Sequence, residues 1–141
     1  MKKPEDRFEF SAITQRPRWK LPEGKRVAVY PVVNVEEWNI EWPVPREYVT
    51  SPAGVTTVPN VPNWGWHEYG MRVGFWRLLD FFEKKGLKAS TAINARACKG
   101  QGSAVAEAMR DAGWGFMGHG YHQQALHRVD DQQKNIRDSF E

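Results

Sequence analysis

Three of the four histidines in this chain, His119, His122 and His127, fall within nine residues. The first sits in Trp114-Gly115-Phe116-Met117-Gly118-His119-Gly120-Tyr121-His122, where an apolar run meets a histidine flanked by glycines. Glycines on both sides let the backbone turn sharply and aim the imidazole into a cleft. Earlier in the chain another apolar run ends on Glu36 and Glu37. A carboxylate beside an imidazole supports two kinds of chemistry. In general acid/base catalysis, Glu takes a proton from water and His gives one to a leaving amine. In metal catalysis, Glu and His hold a divalent ion that activates water. The plain alternative is a pair of solvated loop acids and a satisfied core histidine.

The elements that would position these groups can be read from periodicity. Residues 26–33 form a short β-branched run that reads as a buried strand, slightly weakened by Pro31. Residues 38–66 show no sustained period. They hold five prolines and Trp38, Trp42, Trp64 and Trp66. A loop this long is uncommon in a compact domain without a job. It reads either as a lid or pocket wall, or as rings that pack the loop onto the body. A helix is expected from about Glu68 to Lys85. Val73, Trp76, Leu79 and Phe82 form its apolar stripe, widened by Phe75 and Leu78, and Gly86 stops it. Residues 87–94 read as a second strand, Ser103 to Ala112 as a second helix, 114–118 as a third strand, and Asp130 to Phe140 as the start of a third helix.

That alternation argues for parallel strands joined by right-handed crossovers. The fold class is therefore α/β, a partial (β/α) barrel with crossover helices. Residues 1–25, polar and interrupted by proline, read as an extended arm before a domain over 26–141. A full barrel needs roughly 250 residues, so the sequence reads as about half of one, apparently truncated. In parallel α/β proteins, ligands bind at the carboxyl ends of strands. Here those ends deliver Glu36 and Glu37, then Asn94, then His119 with Tyr121 and His122.

Composition narrows the function classes. The chain has 141 residues with a formal net charge of +3, and its charges are scattered rather than clustered. A nucleic-acid partner gains little support from that. The sequence shows neither a secretory signal nor a transmembrane helix, so the expected compartment is the cytoplasm and no membrane partner is expected. Cys98 is the only cysteine. It is either a nucleophile or, more commonly for such a residue, an inert thiol. Open sheet edges in a half-barrel make a homo-oligomer a further expectation.

Three segments carry a family resemblance: residues 33–38 (Val-Asn-Val-Glu-Glu-Trp), 67–79 (His-Glu-Tyr-Gly-Met-Arg-Val-Gly-Phe-Trp-Arg-Leu-Leu) and 118–121 (Gly-His-Gly-Tyr). In this order they resemble the polysaccharide deacetylase (NodB-homology) family, in its allantoinase-like branch. The resemblance covers roughly residues 26–141, and the middle segment is its most specific piece. It implies a distorted (β/α) barrel that hydrolyses amide-type C–N bonds of an N-acyl sugar or a small cyclic amide. By position, Glu36 resembles the family's general base, Glu37 its first metal ligand and His119 its first histidine ligand. The second histidine ligand would fall at position 123, which is Gln123. Amide oxygen is a poor ligand for a zinc-like ion beside imidazole. The resemblance therefore implies a divalent metal such as zinc only through an incomplete set. The allantoinase-like branch, expected to act without a tightly held metal, fits better.

On this reading Glu36, Glu37 and His119 are the catalytic candidates. Trp66, Glu68, Arg72, Tyr121 and His122 are the candidates for contact with a sugar or other small-molecule substrate. Glu68 and Arg72 can equally be a capping acid at a helix start and a solvent-facing cation. Arg77 reads as structural and His127 as solvated. The rival readings are a binding domain that kept the fold without turnover, and an inactive fragment.

Overall fold

The computed structural model describes residue 3 and residues 6–141 of the chain; positions 1, 2, 4 and 5 of the expected arm lie outside the described residues. Strand β1 spans Val32–Val35, β2 Ser90–Ile93 and β3 Gly115–Gly118. They form one parallel sheet in the order β1-β2-β3. Val33 lies beside Thr91, and Thr91 beside Phe116. Each crossover passes through a helix, as the alternating pattern requires. Among the described residues no helix is long and apolar enough to cross a membrane.

The first strand lies later than its apolar run. Val27, Val29 and Tyr30 are exposed, and pairing begins only at Pro31, whose carbonyl accepts from Ser90 N at 3.0 Å. β2 is four residues long, and only its short run has neighbours on both sides. β-branched composition marks 26–33 as strand-like, but only residues that lie opposite β2 pair, and these are Val32–Val35. The arm is exposed and largely extended, with short 3₁₀ turns at Ile13–Gln15 and Pro22–Gly24.

The largest departure from the sequence reading lies in the expected loop. Helix α1 spans Val61–Tyr69 and runs through a single π turn, Gly70–Gly74, into α2, Phe75–Lys84. Asn60 caps α1 through its side chain, accepting from Asn63 N, with proline in the first helical turn. Trp64 and Trp66 are therefore helical residues and not loop residues, and Glu68 lies mid-helix rather than at a start. Val73 and Trp76 are only partly covered; the face that packs is Phe75, Leu79 and Phe82. Val73 lies inside the π turn, and Trp76 follows Phe75 by one residue, about 100° round the helix, at the margin of the packed face. Helix α3 (Ser103–Asp111) and α4 (Gln132–Asp138) fall where the pattern places them, and Asp131 caps α4 by accepting from Lys134 N.

Phe75, Leu79 and Phe82 of α2 meet Val105 and Met109 of α3, Trp114, the sheet residues Val35 and Ile93, and Ala89 just before β2 in one core. Trp114 stands edge-on to both Phe75 and Phe82, at 6.1 and 5.4 Å between ring centroids. This is the arrangement that aromatic quadrupoles favour. Helices cover this side of the sheet, while Val32 and Met117 on the other remain partly open.

The proline-rich segment is not loosely draped. Fully buried Asn63 accepts from the backbone N–H groups of Tyr48 and Val49, at 2.7 and 2.9 Å. It donates to Val49 O and to Asn60 Oδ1. One buried amide thus ties the backbone at 48–49 to the start of α1. Asn63→Ala should lower stability by about 1–3 kcal/mol, the cost of losing these bonds and leaving Asn60 short of a partner. Urea unfolding followed by tryptophan fluorescence would measure it, and an unchanged midpoint would contradict this role.

Candidate functional site

The three strand ends converge on Asn94. Its side chain is fully buried just past β2. Its Oδ1 accepts from Glu37 N at 2.9 Å, just past β1. Its Nδ2 donates to the carbonyl of His119, just past β3, and lies 3.4 Å from Gly120 O and 3.5 Å from Gln123 Oε1. An amide fits here because it offers an acceptor on one side and donors on the other. Backbone bonds repeat the tie: Ala95 N to Gly120 O, Arg96 N to Tyr121 O and Gln123 N to Glu37 O.

On this frame Glu36 and His119 meet. Glu36 Oε1 lies 3.9 Å from His119 Nε2, too far for a hydrogen bond but close enough for both to engage one substrate atom. Trp38 Nε1 donates to Glu36 Oε2 at 2.8 Å and fixes the carboxylate. Glu36 is largely covered, and His119 is about a third exposed. A cleft of about 420 Å³ opens beside Glu36, with Arg46, Tyr48, Trp66, His67 and Tyr69 among its walls. Rings run along it: His67 on Trp38 at 5.1 Å, Trp38 on Tyr48 at 6.4 Å, and Tyr48 on Trp66 at 6.4 Å.

Glu37 turns the other way. It lines a second cleft, of about 900 Å³, with Glu68, Arg72, Arg96, Lys99, Trp64 and Trp76. The two carboxylates are consecutive residues just past β1, and their side chains line different clefts. The strand-end pair therefore serves two clefts and not one. Glu68 accepts from Arg72 Nε at 2.8 Å, one helical turn away. Arg77 donates to Tyr69 Oη at 2.8 Å. Tyr121 and His122 lie behind the histidine turn. His122 packs edge-on to Trp42 and Tyr121, and Lys99 Nζ sits 5.4 Å over the Tyr121 ring.

His67 enters this site without having been given a role by the sequence reading. Its Nε2 meets the Glu36 carbonyl, which can only accept, so Nε2 carries the proton. Nδ1 is buried without a hydrogen-bond partner, with Glu68 Oε1 at 3.7 Å. The available signal was its position beside Glu68, which becomes informative only once the helix is known to start at Val61 rather than Glu68.

A resident metal does not fit the groups present. Among the described residues no three His, Cys, Asp or Glu side chains gather into a binding group. Of the two resemblance-based ligands, Glu37 lines the second cleft while His119 faces Glu36, and Gln123 is engaged with Asn94 and the Glu37 carbonyl.

Two consequences can be measured. Asn94→Ala leaves the Glu37 N–H and the His119 carbonyl unpaired and should cost about 2–4 kcal/mol in urea unfolding. Asn94→Asp keeps the acceptor for Glu37 N but sets a carboxylate against carbonyl oxygens, so it should not restore stability. His122 supplies a pH dependence. Burial pushes its imidazole below the ordinary value; Glu37 opposes this and Arg96 adds to it. The unfolded chain then binds the proton more readily, so stability falls as pH drops through about 6.5 toward the lowered folded value. Thermal unfolding at pH 7.5 and pH 5 should show a smaller acid loss for His122→Gln than for the wild type; equal losses would contradict it.

No family model matches the sequence, and no curated protein matches it. Solved structures do match its fold. The chain is similar to a probable polysaccharide deacetylase from Pseudomonas aeruginosa PAO1, at 21% identity and a TM-score of 0.56, over 79% of this chain and 39% of that one. It is also similar to Puue allantoinase, at 23% identity and a TM-score of 0.63, over 88% of this chain and 48% of that one. It spans less than half the length of either. Parallel strands, crossover helices and these matches agree: in its fold, the chain is a partial α/β barrel of the polysaccharide deacetylase type, similar in fold to the deacetylase and allantoinase structures.

Proposed function

We propose that the protein hydrolyses a non-peptide carbon–nitrogen bond, in an N-acyl sugar or a small cyclic amide. The observation that carries this reading is the Glu36–His119 pair at the ends of β1 and β3, with its two side-chain atoms 3.9 Å apart. Glu36, held by Trp38, takes a proton from the attacking water. His119, on its glycine-flanked turn, protonates the leaving nitrogen as the C–N bond breaks. Trp66, largely exposed on α1, offers a face to the substrate ring. Glu37, Glu68 and Arg72 would contact the substrate from the neighbouring cleft, with Tyr121 and His122 backing the histidine turn.

The similar structures support the general class, since one is a probable polysaccharide deacetylase and the other an allantoinase. A second reading has its own support: Gln123 stands where a second imidazole is expected, and its amide is engaged with Asn94. That favours a domain that binds a sugar or cyclic amide without turnover.

Incubating the chain with N-acetyl sugars, allantoin and hydantoins, and assaying acetate, ammonia and ring opening, separates the readings. Turnover should fall by about 100-fold or more in Glu36→Gln and in His119→Ala, the scale of lost acid/base catalysis. Unchanged rates would remove both residues from the mechanism. Binding without turnover across the panel would favour the binding domain.

A further inference from the structure

The cleft on the Glu37 side holds two cations, Arg96 and Lys99, that the proposed hydrolysis does not use. Five charged side chains line it: Glu37, Glu68, Arg72, Arg96 and Lys99. Glu68 and Arg72 pair with each other at 2.8 Å. Among the described residues Arg96 and Lys99 have no carboxylate within 4 Å; Lys99 rests over the Tyr121 ring. Glu37 offsets one of these two cations, which leaves a surplus of one positive charge. Arg96 is also half-buried, where screening by water is weaker than at an open surface.

These cations are carried by a rigid turn. Ala95–Cys98 is a 3₁₀ turn whose Ala95 and Arg96 N–H groups bond to Gly120 and Tyr121. Ala97 is fully buried. A Cβ on Gly102 would lie 2.2 Å from Ala97 O, so the turn and the start of α3 are in contact with no room to spare. Gly100 has φ of +62°, a left-handed backbone that suits glycine. Opposite, the cleft is walled by Met71, Trp64 and the partly open indole of Trp76. Its volume of about 900 Å³ lies within the range of small-molecule sites.

We infer that this cleft binds a small ring compound bearing a carboxylate, with the ring against Trp64 and Trp76 and the carboxylate between Arg96 and Lys99. The planar guanidinium fork matches a carboxylate, and the surplus of a single charge suits a monoanion better than a phosphate dianion. The inference shares this cleft with the proposed substrate contacts of Glu37, Glu68 and Arg72, but it rests on Arg96 and Lys99 and needs no turnover at Glu36 or His119.

Hydantoin and hydantoin-5-acetate share a ring and differ by the acid, so they serve as paired probes. Titrations of the Glu36→Gln chain, followed by tryptophan fluorescence and calorimetry, read binding without turnover. The acid should bind about tenfold more tightly than hydantoin, with the preference shrinking as salt is raised, since one cation is exposed. Lys99→Gln, at an exposed position, should cut the preference to about a third, and Arg96→Gln with Lys99→Gln should abolish it while leaving the weak binding of hydantoin. Equal affinity for the two probes, binding of neither, or a preference that survives in the double variant with an unchanged melting temperature would overturn the inference. Loss of C–N hydrolysis in the wild type would leave it untouched.

Discussion

One buried amide holds the functional end of this fold together. Three parallel strands of four residues each are short, and beyond them only scattered backbone bonds join the segments that carry the candidate groups. Beyond that point the polypeptide would fan out, because neighbouring strands twist away from each other. Asn94 prevents it by accepting from the segment after β1 and donating to the segment after β3. Glu36, Glu37 and His119 come from sequence positions more than eighty residues apart, and their relative placement depends on that crosslink. Fully buried polar groups are costly unless satisfied, so the same contact that orders the site would penalise any arrangement that breaks it.

A second amide plays the matching part for the aromatic wall. Asn63 grips the backbone at Tyr48 and Val49, and Tyr48 then stacks between Trp38 and Trp66. Trp38 in turn holds Glu36. Packing in the proline-rich segment is thus transmitted to the orientation of a candidate catalytic carboxylate through two rings and one indole N–H. The prolines limit the backbone freedom that such a segment loses on ordering.

The parts of this arrangement that follow a simple period were legible in the sequence. The alternation of strands and helices, the second helix and its glycine stop, the third strand, and the glycine-flanked His119 all follow from patterning. The meeting of Glu36 with His119 was accessible once strand ends were treated as the place where ligands bind. What escaped was non-periodic. Helix α1 contains Pro62, Gly65 and two tryptophans, a composition that reads as loop, and its informative signal was Asn60 followed by proline. Glu37 and Glu36 line different clefts, yet convergence was expected because both lie at the same strand end. His67 could not be assigned from sequence, since its role depends on a carbonyl in a different element. Its single backbone contact leaves no trace in residue order.

The π turn between α1 and α2 has a consequence for how this scaffold can change. Gly70 to Gly74 closes on the bond from Phe75 N to the Gly70 carbonyl, five residues back. One residue more than a regular helix needs is stored there, and the surplus decouples two faces. C-terminal to it, Phe75, Leu79 and Phe82 answer to the core. N-terminal to it, Asn63, His67 and Glu68 answer to the clefts. The turn therefore behaves as an angular adjustment between stability and recognition. Losing one residue would turn His67 and Glu68 by about 100° relative to Phe75, Leu79 and Phe82, so the helix's contribution to the clefts can be re-indexed in sequence while its main core face stays in place.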